Sequence, residues 1–199
     1  MSIIRWGSVL VAAAVAAAAV AATRHDTPAP TVTLDVPERS DSTPWIAASG
    51  AFVAVTWGAS ADGKADVFVA TSADGGRTFG APVRVNRADG EGRLGGELPP
   101  RVAVQAAANG VGPVVDVLWN ARDGATAIKT ARSRDGGRTF DAPISLQADG
   151  AGGDRGWPAL AVDAHGGAHA IWLDHRGLAA HRAATAAKPA LNRMVHPPS

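Results

Sequence analysis

The residues best placed to do chemistry come in two matching sets. Ser72, Asp74, Gly76, Thr78 and Phe79 lie in TSADGGRTF, and Ser133, Asp135, Gly137, Thr139 and Phe140 lie in RSRDGGRTF. A carboxylate in so conspicuous a setting invites two readings, acid–base catalysis and Ca²⁺ ligation. The spacing does not supply the further oxygens that Ca²⁺ needs. Turn chemistry accounts for every position instead. Asp74 and Asp135 can accept backbone N–H groups of the turn, and the paired glycines admit positive φ. Thr78 and Thr139 can close the turn through their hydroxyls, and Phe79 and Phe140 can bury a ring between strands. Asp62 is a weaker catalytic candidate, because it sits in the ordinary turn tetrapeptide Ala61-Asp62-Gly63-Lys64. His165, His169 and His175 form no convincing metal set, and with no Cys in the chain thiolate metal sites and disulfides are excluded. Neither a metal nor a cofactor is implied.

These residues recur because the chain repeats. The two motifs are 61 residues apart (135 − 74), and the strand-ending Trp57 and Trp119 upstream of them are 62 apart (119 − 57). A third unit, beginning at Pro158, carries Trp172 in the same place but lacks the motif. Period-2 alternation and turn residues predict four strands in the first unit, at about 44–49, 51–57, 66–72 and 82–86. In the second unit they fall at about 101–107, 113–119, 126–133 and 142–147. The third supplies 158–164, 168–173 and a strand at 178–184. A repeating unit of four antiparallel strands is the pattern of a β-propeller blade.

Composition bounds the partners. The net charge is +1, with 19 basic and 18 acidic residues scattered along 199 positions, so neither nucleic acid nor an anionic membrane surface is indicated. Residues 1–22 read as a signal peptide: Arg5 precedes an apolar run ending in small residues, with Ala19-Val20-Ala21 as the cleavage site. The run is shorter than a bilayer span, so an uncleaved anchor is the minor alternative. The expected location is secreted or periplasmic, with no membrane contact beyond that segment. Residues 23–43 form a Pro- and Thr-rich linker in which Thr31–Val36 alternates like a strand suited to closing the outer edge of a last blade.

The S-x-D-G-G-R-T-F motif resembles the Asp-box, or BNR repeat, of the sialidase superfamily; it also occurs in xyloglucanases, sortilin-type receptors and photosystem assembly factors. The resemblance covers about residues 44–181. It implies an all-β, sialidase-like propeller, six-bladed when complete. Residues 44–199 then hold two blades and part of a third (about 44–86, 100–147 and 158–186), with an irregular tail at 187–199. Too few residues follow Thr43 for six blades, and the change of composition after Ala180 reads as a reading-frame slip, a truncation or a degraded gene end. Blade edges left open in this way would favour self-association.

The family's chemistry employs an Arg triad, an acid/base Asp and a Tyr nucleophile assisted by Glu. Here Ser42 takes the place of the first Arg, Trp57-Gly58-Ala59 stands where a second should follow, and Asp62 falls near the acid/base position. The chain has no Tyr. The resemblance therefore implies a piece of an exo-glycosidase-type propeller that acts on or binds glycans but does not catalyse alone. The alternative is a non-enzymatic propeller module that binds glycan or protein. In such a blade the Asp-box turns open on one face and the blade-to-blade connections on the other. The opposite face collects the charged candidates Glu91, Arg93, Glu97, Arg122, Asp154, Arg155, Asp174 and Arg176. Arg176 leads them, since W-x-D-x-R just past a strand resembles substrate-facing segments of bacterial Asp-box proteins. Secretion from a bacterial host should yield a chain beginning at Ala22. N-terminal sequencing checks this, and retention of Met1 would point to the anchor.

Overall fold

The computed structural model describes residues 31–106, 112–123, 125–147, 154–175 and 177–186. The segments read as signal peptide and tail, 1–22 and 187–199, lie outside them. Among the described residues the chain is β-structure with a single helix. Sheet 1 runs β1 (Ser40–Ser49), β2 (Phe52–Ala61), β3 (Lys64–Ser72) and β4 (Val83–Arg84), each strand antiparallel to the next. Sheet 2 repeats this order with β5 (Arg101–Gln105), β6 (Val114–Asp123), β7 (Ala125–Ser133) and β8 (Ile144–Ser145). Sheet 3 pairs β9 (Arg155–Val162) with β10 (Ala168–Asp174), and α1 (Leu178–Ala186) follows. None of these sheets closes on itself. No helix among the described residues is long and apolar enough to cross a membrane.

The strand expected at 178–184 is a helix. LAAHRAATA is dominated by Ala, the best helix former, and carries one β-branched residue. The expected closing strand at Thr31–Val36 is likewise absent. That segment is irregular, and β1 begins inside the predicted linker at Ser40. The fourth strands contract to two residues each. Pro82 and Pro143 cannot donate to a ladder, and beyond each short strand a side chain takes over as acceptor. Val67 N–H donates to Asn86 Oδ1 at 2.7 Å, and Ile128 N–H donates to Gln147 Oε1 at 3.0 Å.

Sheet 1 packs face to face on sheet 2. Ala54, Val67, Val69 and Val85 meet Val102, Val104, Val115, Val117, Trp119, Ala121 and Ala131. Trp119 is completely buried. The first strands β1, β5 and β9 are neighbours in that order. On its other face sheet 1 presents Trp57, Ala59, Phe68 and Ala70, partly covered by Leu34 and Val36. Trp57 Nε1 donates to Asp41 at 2.8 Å, and the Arg39 guanidinium lies 5.6 Å from the Phe68 ring centre.

The first strands of sheets 1 and 3 are each interrupted opposite their sheet's Trp by a residue followed by proline. In β1 the register jumps from Ser42↔Gly58 to Trp45↔Thr56, which bulges Thr43-Pro44 opposite Trp57. In the β9–β10 pair it jumps from Gly156↔Leu173 to Ala159↔Ile171, which bulges Trp157-Pro158 opposite Trp172. Thr43 and Trp157 have φ of 52° and 50°, a conformation bulky and β-branched residues rarely adopt. In sheet 2 Leu98-Pro99-Pro100 precedes Arg101↔Leu118 at the same place.

The second Asp-Gly-Gly turn is also a clamp between sheets. Thr71 Oγ1 donates to Gly136 C=O at 3.0 Å, and a Cβ at Gly137 would lie 2.7 Å from Thr71 Cγ2. At Gly76 of the first turn a Cβ would meet nothing nearer than Phe79 at 3.9 Å. Both glycines have φ of 85°, so replacement by alanine strains each backbone by about 1–2 kcal/mol. Gly137→Ala should therefore lower the melting temperature more than Gly76→Ala. Equal losses would show that the Thr71 approach contributes nothing.

Candidate functional site

A cleft of about 380 Å³ opens where the connections between sheets converge. Its first wall is the segment after β4, which an internal carboxylate holds in place. Asp66 is fully buried and accepts from Asn86 Nδ2 at 2.6 Å, Gly90 N–H at 2.8 Å and Arg39 Nη1 at 2.8 Å. Burial opposes its charge, but the bonds from Asn86, Gly90 and Arg39 outweigh this and hold the carboxyl below its usual range. The segment then runs alongside β6: Arg93 N–H donates to Asn120 C=O and Arg122 N–H to Glu91 C=O, at 2.8 and 2.7 Å. Glu91 is buried and takes Lys129 Nζ at 3.1 Å.

The second wall is the start of β9 with the end of β10. Asp154 Oδ1 accepts from Arg93 Nη1 at 2.9 Å and from Thr126 Oγ1 at 2.8 Å, joining the walls. Arg155 is buried, its Nε 3.4 Å from Asp174 Oδ2, and its carbonyl accepts from Asn120 Nδ2 at 2.9 Å. Trp157 stands beyond, 47% exposed, edge-on to His175 with ring centres 5.7 Å apart. Glu97 completes the lining. An indole face beside a cation, two carboxylates and an imidazole can stack one flat side of a ligand while bonding its polar rim.

Of the sequence candidates, the structure brings Arg93 and Arg155 to this cleft and sets Asp174 behind Arg155. Arg122 is exposed at the edge of β6 and does not line it. Arg176 lies outside the described residues. Asp62 is the first residue of the two-residue β2–β3 turn; Asp62 and Gly63 have φ of 51° and 72°, and Ala61 pairs with Lys64. That is a primed hairpin turn, well accounted for without catalysis. Trp157 and Thr126 escaped the sequence reading. The signal for Trp157 was present in Gly156-Trp157-Pro158, which occupies the same register as Ser42-Thr43-Pro44.

No family model and no curated protein matches the chain. The residues themselves must decide between this cleft and the other conspicuous feature, the paired Asp-Gly-Gly turns.

The turns are internally satisfied. Ser72 Oγ donates to Asp74 Oδ1 at 2.7 Å and accepts from Gly76 N–H at 2.9 Å. Asp74 Oδ1 also accepts the N–H groups of Arg77 and Thr78, each at 2.9 Å, and Oδ2 accepts the Thr78 hydroxyl at 2.6 Å. Ser133, Asp135, Gly137, Arg138 and Thr139 repeat the pattern. The turns also tie to neighbouring hairpins, Gly75 N–H to Ala51 C=O and Gly136 N–H to Pro113 C=O. A larger depression of about 570 Å³ lies between the turns. The carboxylate lining it, Asp135, is already committed to its own turn.

The same bonds set an acid limit. The Thr78 hydroxyl, then the Thr78 N–H and Ser72, hold the Asp74 carboxyl well below the usual range. Burial works against the charge of Asp135, but bonds from Thr139, Ser133 and Arg138 bring its pKa to about 2. Asp163, in the β9–β10 turn, is brought to about 2 by His169 and by the N–H groups of Gly167 and His165. These folded-state values lie below the unfolded value near ~3.9. The stability they contribute is therefore present above that pH and lost as pH falls toward about 2. The thermal midpoint should hold down to about pH 5 and drop steadily below it. Asp135→Asn should lower the midpoint at neutral pH and make the acid fall shallower; parallel acid slopes in both proteins would contradict the assignment.

Proposed function

We propose that this chain is an exported, sialidase-like Asp-box protein whose sheets are propeller blades and whose cleft binds a glycan without hydrolysing it alone. The observation that carries this reading is Trp157. A large aromatic ring is left half in solvent, on a backbone at positive φ that costs about 1–3 kcal/mol, at the rim of a charged cleft. Strain of this kind persists where the surrounding structure holds it, and here the ladder pairs on either side of the bulge do so. The apolar face of a pyranose ring stacks on such an indole, and Arg93, Asp154, Glu97 and His175 supply donors and acceptors for its hydroxyls.

The propeller reading is supported by the two matching Asp-box turns, the face-to-face packing of four-stranded antiparallel sheets and the neighbouring first strands. The cleft also lies among the inter-sheet connections, the face that such an architecture leaves for ligands. Binding is favoured over hydrolysis because glycoside hydrolysis canonically requires two carboxyl groups acting as a pair. Of the two in the described lining, Asp154 is committed to Arg93 and Thr126. The Tyr nucleophile of sialidases has no counterpart in the chain.

Retention on a panel of immobilised mono- and disaccharides tests the reading. Trp157→Ala should weaken retention about tenfold or more, equivalent to ~1.4 kcal/mol, with the melting temperature held. No fluorogenic leaving group should be released from a sialoside. A wild-type chain that retains no sugar, or a Trp157→Ala chain that binds as tightly as wild type, would defeat the proposal.

A further inference from the structure

Sheet 2 has a neighbouring sheet on each face, and its residues show what each face requires. The pairs Trp45↔Thr56, Arg101↔Leu118 and Ala159↔Ile171 place the three sheets in a common register. Leu118 and Ile171 are therefore equivalent, as are Val102 and Ile46. Leu118 shares a side of β6 with Asn120, which bonds to Arg155 of sheet 3, and Leu118 is completely buried. Its equivalent Ile171 is 72% exposed, and Leu173, equivalent to buried Asn120, is 55% exposed. On the other face Val102 packs against sheet 1 and is 3% exposed, while Ile46 is 63% exposed. Sheet 3 thus shows solvent a face that elsewhere takes a following sheet, and sheet 1 a face that elsewhere takes a preceding one.

The segment before β1 marks the same site. Asp41↔Ala59 in sheet 1 corresponds to Gly92↔Ala121 in sheet 2, an offset of 51 positions (92 − 41). Leu34 therefore stands where Val85 stands one sheet later. The packing agrees: Val85 joins the cluster around Trp119, and Leu34 joins the cluster around Trp57. Val85 directly follows the outermost strand of sheet 1, so Leu34–Val36 occupies an outer-strand position of a sheet that should precede sheet 1. Sheet 3 holds two strands among the described residues, and none runs along the outer edge of β10.

We propose that a second copy of this chain covers both faces, the two copies associating head to tail. Sheet 3 of each copy seats on sheet 1 of the other, with Ile171 and Leu173 against Ile46 and with Leu34–Val36 lying outside β10 of the partner. The contact continues, between chains, the packing that sheets 1 and 2 already make within one chain. The ring rests on the propeller reading above: such rings hold four to eight stacked sheets, and the three described sheets of two copies supply six. Such a contact joins two different patches and must close or else propagate as a filament.

Sedimentation of the full chain should give twice the mass of one chain. Ile46→Asp and Ile171→Asp should each yield monomers with an unchanged near-ultraviolet circular dichroism spectrum, since neither side chain packs in its own copy's core. An equimolar mixture of the two variants should recover dimer, because one of its two contacts joins unaltered faces. A monomeric wild type, a dimer that survives both substitutions, a mixture that stays monomeric, or open filaments would each overturn the proposal.

Discussion

A β-sheet that is apolar on both faces is stable only with something laid on each. Sheet 2 meets that condition completely. Val102, Val104, Val115, Val117 and Trp119 lie against sheet 1 on one side, and Leu118 and Ile128 are buried on the other. The close approach of sheets 1 and 2 in turn dictates where the chain can afford side chains. Glycine stands at position 137 because Thr71 comes within contact range of that backbone, and the Asp-Gly-Gly turn therefore couples hairpin closure to sheet docking.

The cleft follows from the same packing. Stacked sheets need connections that climb from the outermost strand of one to the first strand of the next. Those connections are held by buried polar groups, not by their own secondary structure. Asp66, Asn86 and Gly90 form one such anchor; Gln147 repeats the Asn86 contact one unit later, and the Asp154–Thr126 bond ties down the start of β9. Arg93 and Trp157 are consequently presented from fixed backbone. The polar lining of the cleft is the exposed end of the network that positions it.

Most of the architecture was legible because it is periodic. The 61-residue offset, the strand-ending tryptophans and the doubled Ser-x-Asp-Gly-Gly-Arg-Thr-Phe turns each report a local requirement that side-chain type alone satisfies. The misreadings occurred where a tertiary partner decides the outcome. Residues 178–184 sit where a third strand would fall, yet an alanine-rich run with no sheet partner along it follows its own helical propensity. Thr31–Val36 alternates as a strand does, but it lies on a sheet face without entering a ladder. Trp157 was hidden for another reason. Alternation marks tryptophan as core, and only the register jump in β9–β10 reveals that this one is turned outward.

The bulge before each proline has an evolutionary consequence. Its backbone is set by the strand pairing on either side, so the bulged side chain contributes little to holding the sheet together. Thr43 and Trp157 occupy equivalent bulges in sheets 1 and 3 and differ completely in chemistry. A position placed outside the ladder can change its side chain from unit to unit. The repeat thereby carries a row of interchangeable sockets, and a new ligand preference can arise by single substitutions while the scaffold stays the same.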